Sequence, residues 1–174
     1  MKIFIRSLKD HSNGTFQGEW IDIDDKDSID IGDEIDCYLE KRSTATGEQH
    51  EEYAIHDYEG EGLAAAMGSS EHPNLDEIAL FVAGYEKHKD AWLAYCVCTD
   101  RADRCLQNFD ETYVGQGKDK KDWAYDYLTE STAQVDPNSF TGKYFNYDSY
   151  VSDLEDQGWS FERINKTVYV FQAL

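Results

Sequence analysis

Asp22, Asp24 and Asp33 stand at positions 1, 3 and 12 of a frame in which carboxylates could ligate calcium. The frame then breaks. Lys26 takes position 5, Asp27 sits where the tight turn needs glycine, and Asp33 is shorter than the bidentate glutamate that closes such a loop. Cys96-Val97-Cys98 is one residue short of Cys-Xaa-Xaa-Cys, and no second pair or suitably spaced histidine completes a tetrahedral zinc site. Buried free thiols are the plain reading of these cysteines. His56-Asp57 could supply half of a Ser-His-Asp triad, but no Gly-Xaa-Ser-Xaa-Gly elbow accompanies it, so a histidine at a strand edge is expected. A catalytic carboxylate needs a pKa raised by burial, and most acids here occupy positions that read as solvated. No catalytic residue, metal or cofactor is therefore expected.

The abundance of acids is itself the strongest signal. The 174 residues hold 36 Asp and Glu against 16 Lys and Arg, a net charge of -20, with an isoelectric point near 4.4. Self-repulsion on that scale destabilises a compact state, which points to a role outside stability. Direct binding of nucleic acid is disfavoured, because it needs Lys and Arg to replace counter-ions on phosphates. A basic partner is favoured instead. Adaptation to high salt is a poor explanation, since eleven of the basic residues are lysines and aromatic residues make up 14% of the chain. No run approaches the ~18 apolar residues of a membrane span. The opening Met1-Lys2-Ile3-Phe4-Ile5-Arg6 does not read as a secretory signal, so Cys37, Cys96, Cys98 and Cys105 are expected reduced in a cytoplasm.

These charges have to be positioned by folded elements. Between Glu19 and Glu40 ten carboxylates and a single lysine are threaded through Trp20, Ile21, Ile23, Ile29, Ile31, Ile35, Tyr38 and Leu39. A disordered acidic tail would lack those large apolar residues. From Ser28 the spacing of Ile31, Ile35, Tyr38 and Leu39 predicts one buried face of a helix, with Asp30, Asp33, Glu34, Asp36 and Glu40 on the other. Before it, alternation over Ile3 to Leu8, the turn residues Asn13-Gly14 and a second strand over Phe16 to Ile23 predict a hairpin. Glu51 to Glu59 reads as a third strand ending at Gly60 and Gly62.

Beyond it, Asn74 is a helix cap for Ile78, Phe81, Val82 and Tyr85. A second helix is expected through Trp92, Tyr95 and Cys96, and a shorter third through Ala102 to Phe109. Gly115 and Gly117 read as breakers before a helix capped by Asp119 and carrying Trp123, Tyr127 and Leu128. Asn146 caps another helix, with Gly158 just past its end, and a hairpin about Asn165-Lys166 closes the chain. The fold class is α+β, an elongated chain of three small modules: α+β with an antiparallel sheet over 1–62, helical over 63–108, and α+β with an antiparallel sheet over 109–174.

Spacing suggests a use for the charge. Asp33, Asp36 and Glu40 recur along the helix at about 5 Å, from ~1.5 Å of rise per residue. Duplex DNA carries one phosphate charge per ~1.7 Å of axis, so about 20 net charges match roughly ten base pairs. The alternative is a calcium-binding or acidic interaction module with another basic protein partner.

Several stretches resemble the ArdA antirestriction proteins, DNA mimics that inhibit type I restriction-modification enzymes. The resemblance rests on Asn13-Gly14-Thr15-Phe16-Gln17-Gly18-Glu19-Trp20-Ile21-Asp22 and on Glu52-Tyr53-Ala54-Ile55-His56-Asp57-Tyr58-Glu59. Later matches are Phe109 to Gly115, Trp123-Ala124-Tyr125, Tyr144 to Tyr150 and Val168-Tyr169-Val170-Phe171. The chain departs from the family pattern at Lys118, Lys120 and Lys121, in its closely spaced cysteines and in a less acidic final helix.

The resemblance implies a homodimer of elongated three-domain protomers. It does not say which aromatic residues make the dimer contact; the last module is taken as its place. The resemblance also implies that carboxylates stand in for DNA phosphates in the methyltransferase and specificity core of a type I enzyme. Adjoining the matched motifs are Asp22, Glu52, Asp57, Glu59, Asp110, Glu111, Asp122, Asp126 and Asp148. Helical spacing adds Asp33, Glu34, Asp36 and Glu40; Asp24, Asp25 and Asp27 before that helix, and Asp153, Glu155 and Asp156 near the C-terminus, complete the expected array.

Overall fold

The computed structural model describes residues 1–68, 70–132 and 134–172, and the chain divides into two compact units, Met1–Lys87 and His88–Leu174. Each unit holds one antiparallel three-stranded sheet with helices, the mixed class expected from sequence. The stretch expected as a central helical module contributes helices to both units.

In the first unit β1 (Lys2–Ser7) is the middle strand, between β2 (Glu19–Asp22) and β3 (Tyr53–Glu59). Its alternation buries Ile3, Ile5 and Ser7. The pairing of β1 with β2 is the expected one, but the connection is not a tight hairpin. Ser7 Oγ accepts the Lys9 N–H at 3.2 Å and caps a helical turn, α1 (Leu8–Ser12), and Asn13-Gly14 ends that turn with Gly14 at φ 69°. The second strand starts at Glu19 rather than Phe16, whose ring is left in solvent. Gly18 lets the returning chain lie against β1: a Cβ there would stand 2.6 Å from the Ile5 carbonyl oxygen.

Helix α2 (Ser28–Thr46) begins where predicted. Asp27 Oδ1 accepts the N–H groups of Ile29 and Asp30, each at 2.9 Å, and Gly47 stops the helix in the left-handed region at φ 72°. It packs on β1 and β2 through the predicted Ile31, Ile35, Tyr38 and Leu39, all buried. A short α3 (Leu63–Met67), which the sequence did not announce, precedes α4 (Leu75–His88). Asn74 Oδ1 accepts the Asp76 N–H at 2.9 Å, and α4 buries Ile78, Phe81 and Val82 as predicted.

The second unit opens with α5 (Asp90–Cys98) and α6 (Leu106–Thr112). The Cys105 sulfur accepts the Asn108 N–H and caps α6. Next comes β4 (Tyr113–Gly117), where the sequence reading had expected only a break at Gly115 and Gly117. The correction has a packing reason. A Cβ on Gly117 would meet Trp123 Cβ at 2.7 Å, so the glycine admits the tryptophan against a strand edge. Helix α7 (Lys120–Asp126) is capped by Asp119, whose Oδ1 accepts the Asp122 N–H at 2.9 Å, and a π-helical turn carries it on through Leu128.

A further short helix, α8 (Phe140–Lys143), leads to α9 (Tyr147–Asp156), capped by Asn146 as expected. The closing hairpin of β5 (Ser160–Ile164) and β6 (Thr167–Phe171) turns at Asn165, φ 55°, and β6 takes the centre of a β4-β6-β5 sheet. Trp123, Ala124, Leu128, Tyr147, Val151, Leu154, Val168 and Val170 form one buried cluster that fixes α7 and α9 on this sheet.

Candidate functional site

The register of the first sheet brings three expected acids together. Lys2 pairs with Asp22 on β2 and with Glu59 on β3, and Phe4 pairs with Trp20 on β2 and with Asp57 on β3. Directly opposed residues share a sheet face. One face therefore carries Asp22, Asp57 and Glu59 around Lys2 and around the Phe4–Trp20 ring pair, whose centroids are 5.2 Å apart. Glu52, just before β3, is also exposed.

Helix α2 covers the opposite, buried face and turns Asp33, Glu34, Asp36 and Glu40 outward. The acids of α2 and those of the open sheet face thus point away from each other across two layers. Between them Asp22 Oδ1 accepts the Asp24 N–H at 3.1 Å, and Asp27 is occupied as the helix cap. Lys26 donates to the Asp22 carbonyl and to Glu34, each at 2.5 Å, so an ammonium lies within the stretch that the calcium frame would have needed. No group of three or more His, Cys, Asp and Glu among the described residues is placed to hold a metal ion.

In the second unit Asp110 and Glu111 lie on α6, Asp122 and Asp126 on α7, and Asp148, Asp153, Glu155 and Asp156 on α9. Every acid of the expected array in both units is exposed, Asp24, Asp25 and Asp27 included. Among the described carboxylates only Asp10, Glu77, Asp90 and Glu162 are not.

The array is unevenly balanced. Glu34 pairs with Lys26, Glu59 with Lys2 at 3.8 Å, Asp148 with Lys121 at 3.5 Å, Glu155 with Lys120 at 2.5 Å, and Asp24 with the amino group of Met1. His88 approaches Asp110 at 3.8 Å. Asp33, Asp36 and Glu40 make no ion pair among the described residues. Asp30, in the first turn of α2, is exposed beside them, a position its helical spacing already announced.

Sequence reasoning missed a buried polar cluster in the first unit. Asp10, 3% exposed, receives Arg42 through Nε at 2.8 Å and Nη2 at 3.0 Å, a bidentate pair spanning 32 residues. Arg42 also donates to Gln17 at 2.9 Å, and Ser7 Oγ lies 2.7 Å from His50 Nδ1. The Arg42 guanidinium holds the Asp10 carboxyl below the usual carboxylate range, against the upward push of burial. Ser7, His50 and Asp10 superficially resemble a triad, yet Ser7 is fully buried, its oxygen caps α1, and Asp10 approaches the same ring nitrogen that Ser7 contacts. A nucleophile would need the opposite ring nitrogen for its orienting acid, so the cluster serves packing.

Burial pushes the Cys96 thiol up to about 11, which leaves it protonated and unreactive. Cys98 and Cys105 are half-buried, whereas Cys37 lies exposed on α2 because its position falls on the acidic face. His56 stacks on His11 with centroids 5.3 Å apart, and burial lowers its pKa.

The family described as Antirestriction protein (ArdA) matches residues 3–167. The chain belongs to the ArdA antirestriction family. The match runs through both units and takes in the motifs that carried the resemblance from Asn13 to Tyr150, ending just before Val168-Tyr169-Val170-Phe171. No curated protein sequence matches the chain. Membership of this family implies an antirestriction function and an interaction with restriction enzymes. No helix among the described residues is long and apolar enough to cross a membrane.

Proposed function

We propose that this ArdA protein blocks the DNA-binding groove of a type I restriction-modification enzyme by presenting carboxylates where the groove would hold phosphates. The partner surface is the methyltransferase and specificity core. The observation that carries this reading is that every acid of the expected array is exposed while the apolar residues interleaved with the α2 row are mostly buried. The charge is displayed outward on packed elements, in rows rather than in a pocket. No direct contact with nucleic acid and no catalytic step belongs to this function. The division into three modules, a homodimer and a cytoplasmic site of action are parts of the same proposal. Phe140 and Tyr144, largely in solvent with their rings 5.2 Å apart, support placing the dimer contact in the last module.

Distributed charge predicts small individual effects. Each single change among Asp22, Asp33, Asp36, Glu40, Asp57 and Asp153 to its amide should weaken inhibition by no more than roughly fivefold, because an exposed charge pair is worth about 0.2–1 kcal/mol. Titrating each variant into a restriction assay at fixed salt checks this. One carboxylate whose loss abolished inhibition by itself would replace the distributed surface with a discrete site.

A further inference from the structure

Two of the three lysines at Lys118, Lys120 and Lys121 have side-chain partners within the fold. Lys120 and Lys121 open α7, and across the α7–α9 contact they meet Glu155 at 2.5 Å and Asp148 at 3.5 Å. Asp148 and Glu155 are seven residues, two turns, apart and share one side of α9. Lys120 is held from a second direction by the Phe161 ring, with its Nζ 5.6 Å from the centroid. Asp153 and Asp156 fall on a different side of α9 and make no ion pair among the described residues. The acidic side of α9 is thus half neutralised from within the fold, whereas on α2 only Glu34 has a lysine.

From this we infer that Lys120 and Lys121 are built-in counter-ions that restrain the second unit's attraction for a cationic protein groove. The inference rests on the proposed function. A groove lined with Lys and Arg competes with these two lysines for Asp148 and Glu155, and it also meets two extra positive charges at short range. Both effects weaken with salt, because the pairs are exposed.

The test compares Lys120→Gln/Lys121→Gln with the native chain in inhibition of a purified type I methyltransferase core. The double variant should inhibit roughly three- to tenfold more tightly at low ionic strength, from the worth of two exposed ion pairs, and the gain should vanish at high salt. Lys166→Gln makes the same charge change as Lys120→Gln at an exposed turn position with no ion pair among the described residues, and it should give a smaller gain. Equal gains from those two single variants, or an unchanged or weaker double variant, would overturn the inference. A variant neutralised on α2 is run alongside. If it loses inhibition while the lysine variant gains none, only the counter-ion inference fails; if it keeps full inhibition, the proposed function fails with it. Thermal melting of each variant shows that the fold is retained, and either single lysine variant reads the same comparison should the double one unfold.

Discussion

Neutralising the outer face of α2 in one variant, Asp33→Asn with Glu34→Gln, Asp36→Asn and Glu40→Gln, is expected to weaken inhibition on the order of a hundredfold at low salt. The size follows from four exposed charges worth about 0.2–1 kcal/mol each, which together approach about 3 kcal/mol. None of the four side chains is buried, and the helix keeps its Asp27 cap, its Gly47 stop and its apolar face. Stability should hold or rise slightly, because removing like charges relieves self-repulsion and the Lys26–Glu34 pair at the surface contributes little. Inhibition titrations paired with melting curves separate the two quantities. Unchanged inhibition by a folded variant would remove α2 from the interacting surface and overturn the proposed function, which rests on that row.

The largest stability effect belongs to the pair that sequence reasoning did not find. Arg42→Ala should destabilise the first unit by about 3 kcal/mol, since it leaves the Asp10 carboxylate buried without its bidentate partner. Adding Asp10→Asn to it should recover part of the loss, because the stranded charge is then gone. Acid behaviour supplies an independent readout. Asp10 has its folded pKa lowered, so its contribution is present above its unfolded value near ~4 and disappears as pH falls through the folded value. His56, whose pKa is also lowered, gives stability that is present above its unfolded value near ~6.5 and lost as pH falls through the lower folded one. The native chain should therefore lose stability in two stages on acidification, and Arg42→Ala should show the His56 stage with the Asp10 stage diminished. Denaturant melts between neutral pH and about pH 3 distinguish these profiles. An Arg42→Ala chain with native stability and an unaltered acid limb would contradict the assigned role of the pair.

Local signals account for the parts of the fold that were legible. Asn74, Asp119 and Asn146 each announce a helix start by a side-chain acceptor, and Ile31, Ile35, Tyr38 and Leu39 announce a buried face by period. What escaped depends on distant contacts. Gly117 looks like a breaker until Trp123 is seen against it, and β4 becomes a strand only by pairing with β6, some fifty residues later by the register of Gly117 with Val168. Asn13-Gly14 has the composition of a hairpin turn, yet Ser7 offers the backbone a cap first and the chain takes a helical turn before it reverses.

The acids were readable singly as exposed positions. Their grouping was not: the meeting of Asp22, Asp57 and Glu59 needs the register of three strands, and the pairing of Lys120 and Lys121 with α9 needs the packing of two helices. Asp10 and Arg42 gave no sequence signal at all, since nothing local distinguishes a buried aspartate from its many exposed neighbours.

Competition with duplex DNA for a purified type I methyltransferase core, followed across a salt series, tests the central claim most directly. Carboxylates acting as phosphates predict mutually exclusive binding of protein and duplex, with the protein's affinity falling by at least roughly tenfold between low and moderate salt as the surface charges are screened. A ternary complex of core, duplex and protein, or inhibition unchanged at high salt, would contradict it.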